Sequence, residues 1–211
     1  PDDDSSPLMI ALEHKRDGVV EVLLAHGADL DYRRSIRVGL RDDSSALNVA
    51  ALKHRWDPVQ WLVEAGADLS AASFRTGKAC NVSPLMLAAS GDLTALVELM
   101  LTKGADPNHV ATMYDDCEDN STALHYACVC GCRDHLTVQL LCDAGANVNA
   151  LSVDGVPLHL AVGWQAPRAT VSTLVVAGAD PFELDKLGLT VTEAMGHDDV
   201  LLDSRPFKFK L

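Results

Sequence analysis

The chain has 211 residues, 48% of them hydrophobic but only 5% aromatic, and a formal net charge of −13 at pH 7. Such acidity argues against nucleic acid as the main partner, because phosphate contacts need a basic surface. No apolar run approaches the roughly 18 residues of a membrane-spanning helix, and no signal segment opens the chain, so direct membrane insertion is not expected. The acidity itself has two readings: it maintains solubility, or part of it faces a basic partner.

The first element opens at Ser6-Pro7-Leu8. A Ser hydroxyl there accepts an orphan backbone N–H of a helix, and Pro is tolerated in the first turn. Leu8, Ile10 and Ala11 fall on one face, and the small Ala admits a neighbouring helix. A second helix follows and is expected to bury Val19, Val20, Leu23 and Leu24. Gly27-Ala28-Asp29 ends it, the Gly supplying a left-handed backbone. The same two phrases then return. Ser45-Ala46-Leu47, Ser83-Pro84-Leu85, Thr122-Ala123-Leu124 and Val156-Pro157-Leu158 open further units. Gly66-Ala67-Asp68, Gly104-Ala105-Asp106, Gly145-Ala146-Asn147 and Gly178-Ala179-Asp180 close them. Such a period identifies a repeat array. One helix pair cannot bury its own apolar face, so stacked pairs must share a continuous core.

These phrases resemble the ankyrin repeat family, with Thr122-Ala123-Leu124-His125-Tyr126-Ala127 through Gly145-Ala146-Asn147-Val148-Asn149 the nearest match to its pattern. The resemblance implies an all-α solenoid of stacked helix-turn-helix units with extended β-hairpin finger loops. It covers residues 6–195, with repeats starting near 6, 45, 83, 122 and 156 and a partial capping repeat near 189. Residues 1–5 form an N-terminal flank. Because the ladder begins almost at Pro1, we expect a piece of a longer protein. Residues 196–211 depart from the array and end in the basic, alternating Phe207-Lys208-Phe209-Lys210-Leu211. That tail reads as a linker, a lid on the last repeat, or a segment that occupies the groove.

The spacing between units is uneven. Gly27 to Leu47 is 20 residues, Gly66 to Leu85 is 19, Gly104 to Leu124 is 20, and Gly145 to Leu158 is 13. The first three loops therefore carry extra residues. In the family these loops are fingers beside a concave face that binds partners, and binding residues concentrate on loops. Finger one carries Tyr32, Arg33, Arg34, Arg37 and Arg41. Finger two carries Phe74, Arg75 and Lys78, and finger three carries Tyr114, Asp115, Asp116 and Glu118. This charge gradient would orient an extended peptide, acidic part toward finger one; alternatively, charged tips simply solvate hairpins. The resemblance also places Leu52, Lys53 and Trp164 at groove-facing positions, where Trp164 would anchor a partner's apolar side chain or fill a loosened turn.

Cys128, Cys130, Cys132 and His135, with Cys142 downstream, invite a zinc reading. Cys-x-Cys-x-Cys lacks the two-residue gap of a chelating pair, and Cys128 stands where the family resemblance places a small Ala, which implies a small core residue. The six Cys show no disulfide framework, which fits a reducing cytoplasm or nucleus. His125 and His159 occupy the family's turn-bonding His. We find no phosphate loop and no nucleophile elbow, and expect no enzyme, no metal and no cofactor. The expected function is binding another protein or peptide segment, as a scaffold or adaptor. Alternatives are the substrate-recognition arm of a ubiquitin ligase, the cytoplasmic domain of a channel or receptor, and, more remotely, a Cys/His metal or redox protein. The sequence leaves the oligomeric state open.

Overall fold

The structure is a computed structural model that describes residues 5–33, 44–70, 81–112, 120–129 and 135–182. Within them lie ten helices in five pairs. They are α1 (Pro7–Glu13) with α2 (Asp17–Ala25), α3 (Ala46–Leu52) with α4 (Trp56–Glu64), and α5 (Pro84–Ser90) with α6 (Thr94–Thr102). The last two pairs are α7 (Ala123–Val129) with α8 (His135–Asp143) and α9 (Pro157–Gly163) with α10 (Arg168–Val176). Each first helix packs on the next first helix and each second on the next second, giving two layers.

Local chemistry sets the helix limits. The hydroxyls of Ser6, Ser45 and Ser83 accept the N–H groups of Met9, Asn48 and Met86 at 3.2, 3.3 and 3.3 Å. Each satisfies a donor that the first turn leaves orphaned. Pro stands in the first turn of α1, α5 and α9, where its missing N–H costs nothing. At the end of each second helix, Gly27, Gly66, Gly104, Gly145 and Gly178 take positive φ between 72 and 97°. The next residue's N–H then reaches back to close the helix, as Ala146 does to Leu141 at 2.9 Å. The first helices close by the same bond, Arg55 N–H to the Ala50 carbonyl at 3.0 Å. There the left-handed residue is Lys15, His54, Asp92 or Gln165, with no glycine at the position.

The core is aliphatic. Leu8, Leu47, Leu85, Leu124 and Leu158 are all buried, as are Val20, Val59, Val97 and Val138 from the second helices. Two expectations need correction: Ile10 is 45% and Val19 49% exposed, and Leu23 and Leu24 are only half-buried. Helical spacing tells which side chains share a face, whereas burial needs a neighbour on that face. The first pair has such a neighbour on one side only among the described residues.

Polar side chains tie successive units. Asp31 Oδ1 accepts the Asp68 N–H at 2.9 Å, Asn108 Oδ1 the Asn147 N–H at 2.7 Å, and Asn149 Oδ1 the Asp180 N–H at 2.9 Å. Asn108 and Asn149 also donate through Nδ2 to the Gly145 and Gly178 carbonyls at 2.9 and 3.1 Å. Arg55 donates to the Leu12 carbonyl at 2.9 Å and pairs with Asp17, joining the second unit to the first.

Candidate protein-binding surface

Most finger residues singled out in the sequence lie outside the described residues: Arg34, Arg37 and Arg41, then Phe74, Arg75 and Lys78, then Tyr114, Asp115, Asp116 and Glu118. The loop bases are described. At the third loop, Ala111 N–H donates to the Ser121 carbonyl at 2.8 Å and Asn120 N–H to the Ala111 carbonyl at 3.1 Å. These two bonds tie the start of the third loop to its end. Asn81 N–H donates to the Thr112 carbonyl at 3.1 Å, tying the second loop's end to the third loop's start. The short fourth loop turns within itself, through a bridge between Ser152 and Gly155.

Two finger-one residues can be placed. Tyr32 is half-buried and packs against the core. Arg33 is exposed and donates to Asp68 Oδ2 at 3.2 Å, so this cation bridges the first two units. The Asp68 carboxyl is held below its ordinary range, first by the Ser70 hydroxyl and backbone N–H donating to it, then by the Arg33 charge. Arg33 therefore has a structural task that its sequence context did not reveal. The signal was present in principle: Asp68 belongs to the next unit's Gly-Ala-Asp turn, one repeat away.

Four exposed residues occupy equivalent positions at the ends of the first helices. His14, Lys53, Gly91 and Trp164 follow α1, α3, α5 and α9. Lys53 lies beside the half-buried Leu52 in the second unit, and Trp164 stands in the fifth with 41% exposure. Of the three predicted groove contacts, Lys53 and Trp164 thus share a row three units apart, and Leu52 precedes Lys53 at the end of its helix.

The chemistry-bearing residues resolve differently. His125 is buried. Its Nδ1 accepts the Thr122 N–H at 3.0 Å, while Nε2 lies 2.9 Å from the Ala150 carbonyl and 3.2 Å from that of Gly155. Those carbonyls require the Nε2–H tautomer, assigned from the network. Burial lowers the imidazole to about 4 against the opposing effect of the two carbonyls. His125 is thus a neutral strut between one unit's cap and the next unit's loop. The Thr122 hydroxyl also lies 2.9 Å from His125 Nδ1, whereas in the fifth unit Val156 offers His159 no hydroxyl. Cys128 is fully buried in the core, and Cys142 is half-buried, its thiol pushed up to about 11 by burial and then by Asp143. Cys130 and Cys132 lie outside the described residues. Among the described residues no group of three His, Cys, Asp or Glu side chains could hold a metal, and no helix is long and apolar enough to cross a membrane.

Stacked helix pairs, a shared aliphatic core and polar ties from unit to unit define a helical repeat scaffold, whose variable positions are loops and helix ends. The ankyrin repeat profile matches residues 3–35, and the profile of three ankyrin repeat copies matches 50–152 and 85–185. The chain belongs to the ankyrin repeat family. It is 36% identical to an ankyrin repeat protein of fowlpox virus over 140 residues, 66% of this chain and 38% of that protein. It is 32% identical to human ankyrin repeat and SOCS box protein 6, over 64% of this chain and 30% of that one. The aligned part thus spans about a third of the length of these relatives. A crystal structure of an ankyrin repeat domain from Acinetobacter baumannii AYE matches with a TM-score of 0.71 at 26% identity, covering 90% of each chain. Ankyrin repeats generally mediate protein–protein interaction and are generally non-enzymatic.

Proposed function

We propose that this array is a non-catalytic interaction module that takes an extended or loop segment of another protein. The segment lies along the row formed by the first-helix ends, flanked by the three long fingers, in a reducing cytoplasm or nucleus. The observation that carries this reading is the exposed row itself, with Trp164 held 41% open at the end of a helix that is buried from Pro157 to Ala161. An accessible Trp offers an anchor for an apolar side chain, and Lys53 and finger one favour acidic residues at the other end.

Selection of displayed peptides on the purified array tests this. Wild type should enrich sequences with an acidic stretch and an apolar residue. Arg34→Glu with Arg37→Glu and Arg41→Glu should lose the acidic preference, and Trp164→Ala the apolar one. Arg33 is left in place because it braces Asp68. Identical peptides from all three proteins would sink the proposal. A second reading, the substrate-recognition arm of a ubiquitin ligase, is supported by the identity to a protein named for ankyrin repeats with a SOCS box. It requires the complete gene product to carry such a box, and a full-length sequence without one removes it.

A further inference from the structure

The outer side of the first unit carries a shallow apolar groove of about 530 Å³, lined by Pro7, Ile10, Ala11, His14, Arg16 and Val19. Its chemistry is readable from the other units. The residues equivalent to Ile10 are Val49, Leu87, Tyr126 and Leu160, and every one is buried. Those equivalent to Val19 are Pro58, Leu96, Thr137 and Thr170, buried as well. Pro58, Leu96, Thr137 and Thr170 are thus covered in each unit that has another unit on that side, and only Val19 and Ile10 meet water.

Two polar features repeat the pattern. Arg55 reaches back to the preceding unit's Leu12 carbonyl and to Asp17. Arg16 holds the same position at the start of its second helix and is exposed. The Asp68, Asn147 and Asp180 N–H groups each receive an Asp or Asn side chain from the preceding unit. The equivalent N–H of Asp29 receives none among the described residues, nor does that of Asp106, whose preceding unit carries Ser70 at the accepting position.

We infer that this face is a stacking interface, covered in the working protein by a further helix pair of the same repeat kind, supplied by the same polypeptide ahead of α1. The pair has a defined chemistry. Small and aliphatic residues cover Ile10 and Val19, a carboxylate at the start of its second helix takes Arg16, and an Asp or Asn after its closing turn accepts the Asp29 N–H. A covalently attached unit suits the site better than a separate chain. Stable interfaces between separate chains bury about 1,200 Å² or more, and this groove is lined by only six residues. A tether replaces that requirement with effective concentration.

The test adds the missing neighbour. Unit one already carries Asp17 and Asp31, the groups that serve Arg55 and Asp68, so a second copy of residues 5–43 is inserted ahead of Ser5. Amide exchange at Val20, Leu23 and Asp29 in the original unit should slow by about tenfold or more, and Ile10→Ser with Arg16→Ala there should cancel the gain. If the added unit contributes helical signal at 222 nm while exchange is unchanged, the face is not a stacking interface. If the 211-residue chain sediments as a dimer that Ile10→Glu with Val19→Glu dissociates, a second copy is the occupant and the assignment is overturned. Should the inserted copy stay unfolded, the same Glu pair decides within the complete gene product. The pair should lower its Tm while leaving that of the 211-residue chain unchanged; equal effects on both overturn the inference.

Discussion

His125 makes the sharpest stability prediction. Its ring is buried, Nδ1 accepts the Thr122 N–H, and Nε2–H serves carbonyls of the next unit's loop. Protonation would set an N–H against the Thr122 N–H and place a charge in the core. The folded pKa is therefore depressed from 6.5 to about 4. The sign follows by linkage: the unfolded chain takes up a proton below 6.5 and the folded chain does not until about 4. The stabilisation is full above pH 6.5, is lost progressively on acidification, and levels off below about 4. The whole shift corresponds to about 3 kcal/mol, of which about 2 kcal/mol is gone by pH 5. Asp68 acts in a lower window, since its pKa is lowered from 3.8 and its contribution is lost only on further acidification. Urea unfolding followed at 222 nm from pH 8 to 4, for wild type and His125→Gln, isolates the effect. Gln costs stability at pH 8, where the imidazole network is intact, and the gap between the two proteins narrows toward pH 5. Parallel curves between pH 7 and 5 would refute the reasoning, as would an imidazole that titrates near 6.5 by NMR.

Leu124→Ala removes a fully buried side chain from α7 and should cost about 2–5 kcal/mol in chemical denaturation; a loss below about 1 kcal/mol would mean that the neighbouring units close the cavity. Gly104 has φ of 92° with open space around it, so Gly104→Ala should lose about 1–2 kcal/mol through backbone strain alone. The reciprocal change, Gln165→Gly at φ 54°, should be neutral or stabilising despite glycine's entropy, and a clear Tm decrease would contradict that. Cys142, with its thiol pushed up to about 11, should react with iodoacetamide at pH 8 far more slowly than a free cysteine, and mass spectrometry after timed quenching reads this directly.

Much of the array was legible because its punctuation is local. A Ser hydroxyl caps the helix it precedes and a glycine stops the helix it follows, so Ser6, Ser45, Ser83 and the five closing glycines act as read. The left-handed turn residues were not legible. Lys15 and Gln165 have no sequence preference for positive φ and take it because the two helices of a pair must fold back together. Arg33 read as a finger cation, while the structure gives it to Asp68, a partner visible only once the first two units are stacked. Cys128 was legible as core, because it replaces a small residue in a periodic apolar helix.

The sequence by itself determined the repeat, its helix boundaries and the unequal loops, since each depends on contacts within about five residues along the chain. Only the tertiary structure decided which apolar side chains are covered and which polar groups are paired. Ile10 and Val49 belong to the same pattern, yet Val49 is buried and Ile10 stands in water. Arg16 and Arg55 hold the same position, yet among the described residues only Arg55 reaches a preceding unit. Burial and pairing are relations between units, and a repeat in sequence specifies each unit alike without saying which of them has a neighbour.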